Sequence, residues 1–166
     1  MGPLTVPPAG FAYVDANAFV YTVERIAPYR ALLDPFWRDV RASGTSVVTS
    51  EMTLLEVLVQ PLRQGDVLME SAFRAVLATS PDVHMVPIAR AVLERAAALR
   101  AATNLKTPDA IHAATALIEG CMLFVTNDAL FRRVPGLNVT VLRDLLPPLK
   151  SSGAALPLLY ASRSCL

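Results

Sequence analysis

Lys106-Thr-Pro-Asp-Ala-Ile-His-Ala-Ala-Thr-Ala-Leu-Ile-Glu-Gly-Cys-Met-Leu-Phe-Val-Thr-Asn-Asp128 reads as one helix followed by one buried strand, with an acid at each outer end. Thr107 suits a helix N-cap and Pro108 the first helical position. Asp109 then falls in the first turn, where free backbone N–H groups and the helix dipole favour a negative charge. Ala110, Ile111, Ala114, Leu117 and Ile118 recur at helical spacing and give one apolar stripe that must face a core. Gly120 ends the helix. Met122-Leu-Phe-Val125 is an unbroken apolar run of strand length, the pattern of a strand covered on both faces in a parallel sheet. Thr126, Asn127 and Asp128 follow at its carboxyl end. In open α/β sheets the ligand crevice lies just beyond the carboxyl ends of the strands.

The same grammar recurs along the chain. Phe11-Ala-Tyr-Val14 is a short buried strand that stops at Asp15, and Asp15-Ala-Asn17 opens a helix through Tyr21 and Val23. A second helix begins near Pro28, and Pro35 is expected to kink or split it. Ser46-Val-Val-Thr49 is the next strand. The helix after it carries Glu56 inside the apolar run Leu54, Leu55, Val57, Leu58 and Val59, and Pro61 is expected to stop it. Further helices are read from Asp66 to Ala78 and from Ile88 to Ala101. Between them lies a strand, Val83-His-Met-Val86. A short helical turn at Ala129–Arg133 and a last strand, Val139–Leu142, complete the pattern. Alternating strands and helices predict an α/β domain in three layers, a central parallel sheet with helices on both faces. Residues 1–10 read as a Pro/Gly leader, residues 11–146 as the domain, and residues 147–166 as a loose tail whose Leu156, Leu158, Leu159 and Tyr160 suit docking on a partner.

With 166 residues, 54% of them hydrophobic and 17% charged, the chain is one well-buried domain with little surface charge to spare. A formal net charge of +1 gives no bulk attraction to nucleic acid, so such binding must come from a local patch. The two cysteines, Cys121 and Cys165, form no framework, which fits a reduced, cytoplasmic setting. The N-terminus lacks the features of a signal peptide, and no apolar run reaches membrane-spanning length.

Four acids stand out, each with an ordinary structural explanation. Asp15 and Asp128 suit helix caps, Asp109 complements a dipole, and Glu56 follows Thr53 at capping-box spacing. Together they tell a different story. Two end separate strands, one begins a helix packed on the sheet, and one lies early in a helix that follows another strand, so all four can face one crevice edge. Such a cluster repels itself unless a cation relieves it. Hard oxygen ligands suit Mg²⁺ or Mn²⁺, whereas two histidines, His84 and His112, and no paired cysteines suit zinc poorly. Thr126 and Asn127 are placed to hold a water or phosphate oxygen, or simply to make a turn. His112, one turn after Asp109, favours packing or support of an acid over a role as base or ligand. Lys106, Arg132 and Arg133 flank the acids and are phosphate-contact candidates or plain surface charge. Glu51 reads as first-turn charge.

Four motifs, Tyr13-Val-Asp-Ala-Asn17, Thr53-Leu-Leu-Glu-Val-Leu58, Thr107-Pro-Asp-Ala-Ile-His-Ala-Ala114 and Phe124-Val-Thr-Asn-Asp128, resemble those of PIN domains. The likeness is greatest to the VapC-like ribonuclease toxins of prokaryotic toxin–antitoxin pairs. It implies a metal-dependent RNA endonuclease that leaves 5′-phosphates, with Asp15, Glu56, Asp109 and Asp128 as the acidic site. It also implies a homodimer held by an antitoxin. The competing readings are a catalytically idle PIN-fold module that binds a protein or RNA, and a receiver-like phosphoacceptor, which lacks the lysine it needs at a late strand end. No Gly-rich phosphate loop or serine-hydrolase elbow occurs.

Overall fold

A computed structural model describes residues 4–147 of the chain. Five strands, β1 (Ala9–Val14), β2 (Gly44–Ser50), β3 (Val83–Val86), β4 (Leu123–Thr126) and β5 (Val139–Val141), form one parallel sheet in the order β3-β2-β1-β4-β5. The connecting helices are α1 (Ala16–Val23), α2 (Ala27–Ala42), α3 (Glu51–Gln64), α4 (Val67–Ala78), α5 (Arg90–Thr103) and α6 (Thr107–Ile118). Short 3-10 turns follow β4 and β5.

Side chains alternate across the strands and sort the helices into two layers. Ala12, Val14, Val47, Leu123 and Val125 face one core, filled by Phe19 of α1, Phe36 and Trp37 of α2, Val57 and Leu58 of α3 and Phe73 of α4. Tyr13, Val48 and Phe124 face the other, with Val92, Ala96 and Leu99 of α5 and Ile111 of α6. Four fully buried alanines of α6, Ala110, Ala113, Ala114 and Ala116, keep that helix close to its neighbours. The result is a three-layer α/β/α fold. Because the chain leaves β1 toward β2 on one side and returns to β4 on the other, the β1/β4 boundary is where the strand order reverses. That is the place where crevices open in such sheets.

Several boundaries differ from the sequence reading. Pro35 does not split α2, which runs as one helix. The carbonyl that a proline at 35 leaves without its helical donor belongs to Ala31, on the exposed side, where water can satisfy it. Pro61 does not stop α3 either; the helix ends at Gln64, and Gly65 takes the left-handed conformation at its cap with φ +65°. The cap of α6 is Lys106 rather than Thr107, one residue earlier. β1 begins at Ala9, two residues before the apolar run, because the preceding segment is held to β2: Thr45 Oγ1 donates to the Pro7 carbonyl at 2.5 Å and the Gly44 N–H to that of Pro8 at 3.2 Å. Leu4 is buried in the core as well. β4 starts at Leu123, leaving Met122 exposed, and all four of its residues are buried. Residues 148–166, including the apolar group Leu156 to Tyr160, lie outside the described residues.

Candidate active site

Asp15 follows β1 directly and is only 3% exposed. One carboxylate oxygen accepts the Asn17 N–H at 2.5 Å and so caps α1; the other accepts the Thr126 hydroxyl at the end of β4. The cap and the site are therefore the same residue. Thr126 Oγ1 also accepts the backbone N–H of Asp128 at 3.0 Å, so one hydroxyl ties together the acids that end β1 and β4. Asp128 caps the 3-10 turn that follows, accepting the Leu130 N–H at 2.8 Å. Asp109 occupies the first turn of α6.

Glu56 does not form a capping box. Ser50 is the N-cap of α3, accepting from the Met52 N–H, and the Thr53 hydroxyl pairs with that of Thr49 at 2.7 Å. Glu56 instead leans across to α6, where its Oε2 lies 2.8 Å from His112 Nε2. Its side chain keeps 31% exposure, so it is not sealed in the apolar run that surrounds it in sequence.

The electrostatics tie the four acids into one neighbourhood. Burial lifts Asp15 to a pKa of about 6; the charge of His112 and the bonds from Thr126 and Asn17 pull it down, and Glu56 pushes it up. Asp109 is raised by burial first, then by repulsion from Asp128 and Glu56, with His112 and Lys106 countering. Burial alone would depress His112, but the hydrogen bond and charge of Glu56, helped by Asp15 and Asp109, leave it raised.

Behind the acids lies a buried relay that the sequence motifs do not announce. His112, 2% exposed, places Nδ1 2.7 Å from the hydroxyl of Tyr13, which is fully buried. The Tyr13 oxygen accepts the Ser50 N–H at 3.1 Å. Its ring stacks on Phe124 with centroids 4.9 Å apart. A phenol in the buried half of a strand needs a polar partner, and that is the one signal for it in the sequence.

Of the remaining candidates, Thr126 holds Asp15. Both N–H bonds of the Asn127 amide go to Tyr21 and Tyr29 hydroxyls, each at 2.9 Å, and its oxygen accepts the Arg143 N–H at 3.0 Å. Asn127 thus fastens the turn after β4 onto the stacked Tyr21–Tyr29 pair. Lys106 acts on Asp109 through its charge. Arg132 pairs with Asp144 at 2.5 Å, and Arg133 is exposed. His84 is exposed on β3, away from the acids, and Glu51 accepts the Ile88 N–H at 3.1 Å.

The donor set is one of hard oxygens. Among the described residues no three His, Cys, Asp or Glu side chains stand close enough to enclose a metal by themselves. Carboxylate oxygens suit Mg²⁺, which keeps several waters and binds through one or two carboxylates plus substrate phosphates.

The sequence profile of the PIN domain matches residues 12–137. The chain belongs to the PIN domain family. No curated protein matches it. Among solved structures, this PIN domain is similar to the VapBC2 complex of Rickettsia felis bound to a promoter DNA fragment, with TM-score 0.65, 15% identity, 79% of this chain and 98% of that chain covered. It is also similar to Mycobacterium tuberculosis VapC20, a sarcin-ricin loop cleaving toxin, with TM-score 0.61, 17% identity and coverage of 73% and 92%. A Klebsiella pneumoniae toxin–antitoxin complex matches with TM-score 0.57, 24% identity and coverage of 79% and 97%. At these identities the likeness establishes the fold. No helix among the described residues is long and apolar enough to cross a membrane.

Proposed function

We propose that this PIN domain, residues 11–146, is a Mg²⁺- or Mn²⁺-dependent endoribonuclease. We assign it the role of toxin in a type II toxin–antitoxin pair, cytoplasmic, homodimeric and held by a cognate antitoxin. The observation that carries the reading is Asp15: a carboxylate kept in a buried strand-end position, and raised by that burial, within the electrostatic reach of Glu56 and in the same neighbourhood as Asp109 and Asp128. Such an arrangement costs stability unless a cation uses it. The kinship of the fold to solved VapC toxins supports RNA as the substrate and an antitoxin as the partner.

In this reading Asp15, Glu56, Asp109 and Asp128 would hold one or two divalent ions, in part through bound waters because no three of them stand close enough to enclose one, and the metal would supply a water of lowered pKa and offset charge on the phosphate. Thr126 fixes the Asp15 carboxylate and the backbone of Asp128. Lys106, Arg132 and Arg133 are the candidates to contact phosphates of the bound strand, Arg132 being paired with Asp144. No side-chain nucleophile is required. Asp15→Asn or Asp128→Asn, shown to be folded, should lower Mg²⁺-dependent cleavage of RNA by about a hundredfold or more. Cleavage at the wild-type rate by either purified variant would refute the assignment.

A further inference from the structure

The chain Ser50–Tyr13–His112–Glu56 joins four elements at the edge where the acids gather. The Ser50 N–H, at the end of β2, is given to the Tyr13 oxygen; Tyr13 stands two residues before Asp15 on β1; His112 lies one turn beyond Asp109 on α6; and Glu56 lies on α3, the helix that Ser50 caps. Tyr13 is buried completely and His112 almost so, and T-shaped packing between their rings, with centroids 5.9 Å apart, restricts both. An ionised carboxylate can only accept, so His112 Nε2 carries the proton on the Glu56 side. The Ser50 N–H occupies one lone pair of the Tyr13 oxygen, and Tyr13 holds Nδ1 and with it the plane of the ring. Glu56 is held through Oε2.

We propose that Tyr13 and His112 are positioning residues: the buried Tyr13–His112 pair aims the Glu56 carboxylate at the divalent-ion site. This rests on the nuclease reading above. Neither residue touches the ion or the substrate. The relay sets where Glu56 sits relative to Asp15 and Asp109, and partners of this kind contribute on the order of 10–100-fold to metal affinity.

The decisive comparison uses Tyr13→Phe, which keeps the ring on Phe124 and removes only the hydroxyl. Mn²⁺ binding to the purified full chain is measured by calorimetry in the wild type, Tyr13→Phe, Glu56→Gln and the double variant. The expected result is Mn²⁺ affinity weakened about tenfold by Tyr13→Phe alone and no further loss when it is added to Glu56→Gln. Unchanged affinity in a folded Tyr13→Phe protein, or an equal loss in both backgrounds, overturns the proposal. The wild type supplies a second measurement that needs no variant: ¹H–¹⁵N spectra of the imidazoles should show His112 with a proton on Nε2. A bare Nε2 overturns the relay even if Tyr13→Phe fails to fold. The two levels separate cleanly. A wild type that binds Mn²⁺ through Asp15 yet ignores Tyr13→Phe removes only the positioning role; a wild type that binds no Mn²⁺ removes the nuclease reading with it.

Discussion

Asp15 serves as the N-cap of α1 and as the most deeply buried acid of the site, and the two roles pull in opposite directions. Capping and the Thr126 hydroxyl favour the carboxylate; burial opposes it and wins, lifting the pKa to about 6 from an ordinary 3.8. The folded state therefore holds this proton more tightly than the unfolded chain. Its contribution to stability is greatest below the unfolded value and is lost as pH rises through about 6. At neutral pH the buried charge costs about 3 kcal/mol, an order-of-magnitude figure from the size of the shift. Asp15→Asn keeps the shape, and the amide oxygen can still accept the Asn17 N–H. Metal-free Asp15→Asn protein should thus be more stable than wild type at pH 7 by about 1–3 kcal/mol, while losing cleavage. Thermal unfolding in EDTA checks this, since each kcal/mol moves the midpoint by about 2–4 °C at this size. A variant that melts at or below the wild-type temperature would show that burial of the charge is not a cost the site carries.

At the scale of elements, the strand ends were legible because apolar runs stop abruptly at acids. β1 ends just before Asp15 and the wholly buried β4 ends at Thr126, two residues before Asp128, so the ends of both strands are legible in the sequence. The prolines were not legible in the same way. Sequence tells that Pro35 and Pro61 remove a donor; whether the orphaned carbonyl finds water or another partner is decided by which side of the helix it lies on. The Thr53/Glu56 spacing fits a capping box, but β2 extends through Ser50 and that residue takes the cap first. Helical spacing puts His112 near Asp109, yet nothing local joins it to Tyr13, 99 positions away, or to Glu56, 56 positions away. Gly65, by contrast, is a local rule obeyed: it ends α3 at φ +65°, with open space where a Cβ would stand. Gly65→Ala should therefore cost about 1 kcal/mol through backbone strain alone, with no steric clash and no effect on Mn²⁺ affinity. Chemical denaturation would test it, and an unchanged midpoint would mean the cap can rearrange at no cost.

Across the whole molecule, acids following β1 and β4 and on α3 and α6 influence one another's charge, Glu56 acting on both Asp15 and Asp109 and Asp128 acting on Asp109, and the fold must tolerate that repulsion. Asp15 and Asp109 are both raised, burial first in each case, so both favour the folded state less as pH climbs. His112, raised by Glu56, contributes stability that is present below the ordinary imidazole value and is lost as pH rises through its folded one. The three contributions share a sign. Metal-free protein should lose stability steadily from about pH 5 to pH 7.5, the Asp15 part being complete near neutrality. Under the proposed function a divalent ion would bind only the folded site and need the deprotonated carboxylates, so it should reverse the trend where the trend is worst. At about a hundredfold excess over its dissociation constant, Mn²⁺ adds about 2.7 kcal/mol. For a domain of this size that corresponds to a rise of about 5–10 °C at pH 7.5, fading toward pH 5 as the acids take up protons. Scanning calorimetry in EDTA and in Mn²⁺ across that range reads both effects at once. A Mn²⁺ shift that is absent at pH 7.5, or that persists in full in Asp15→Asn, would mean that the acidic edge is not where the cation acts.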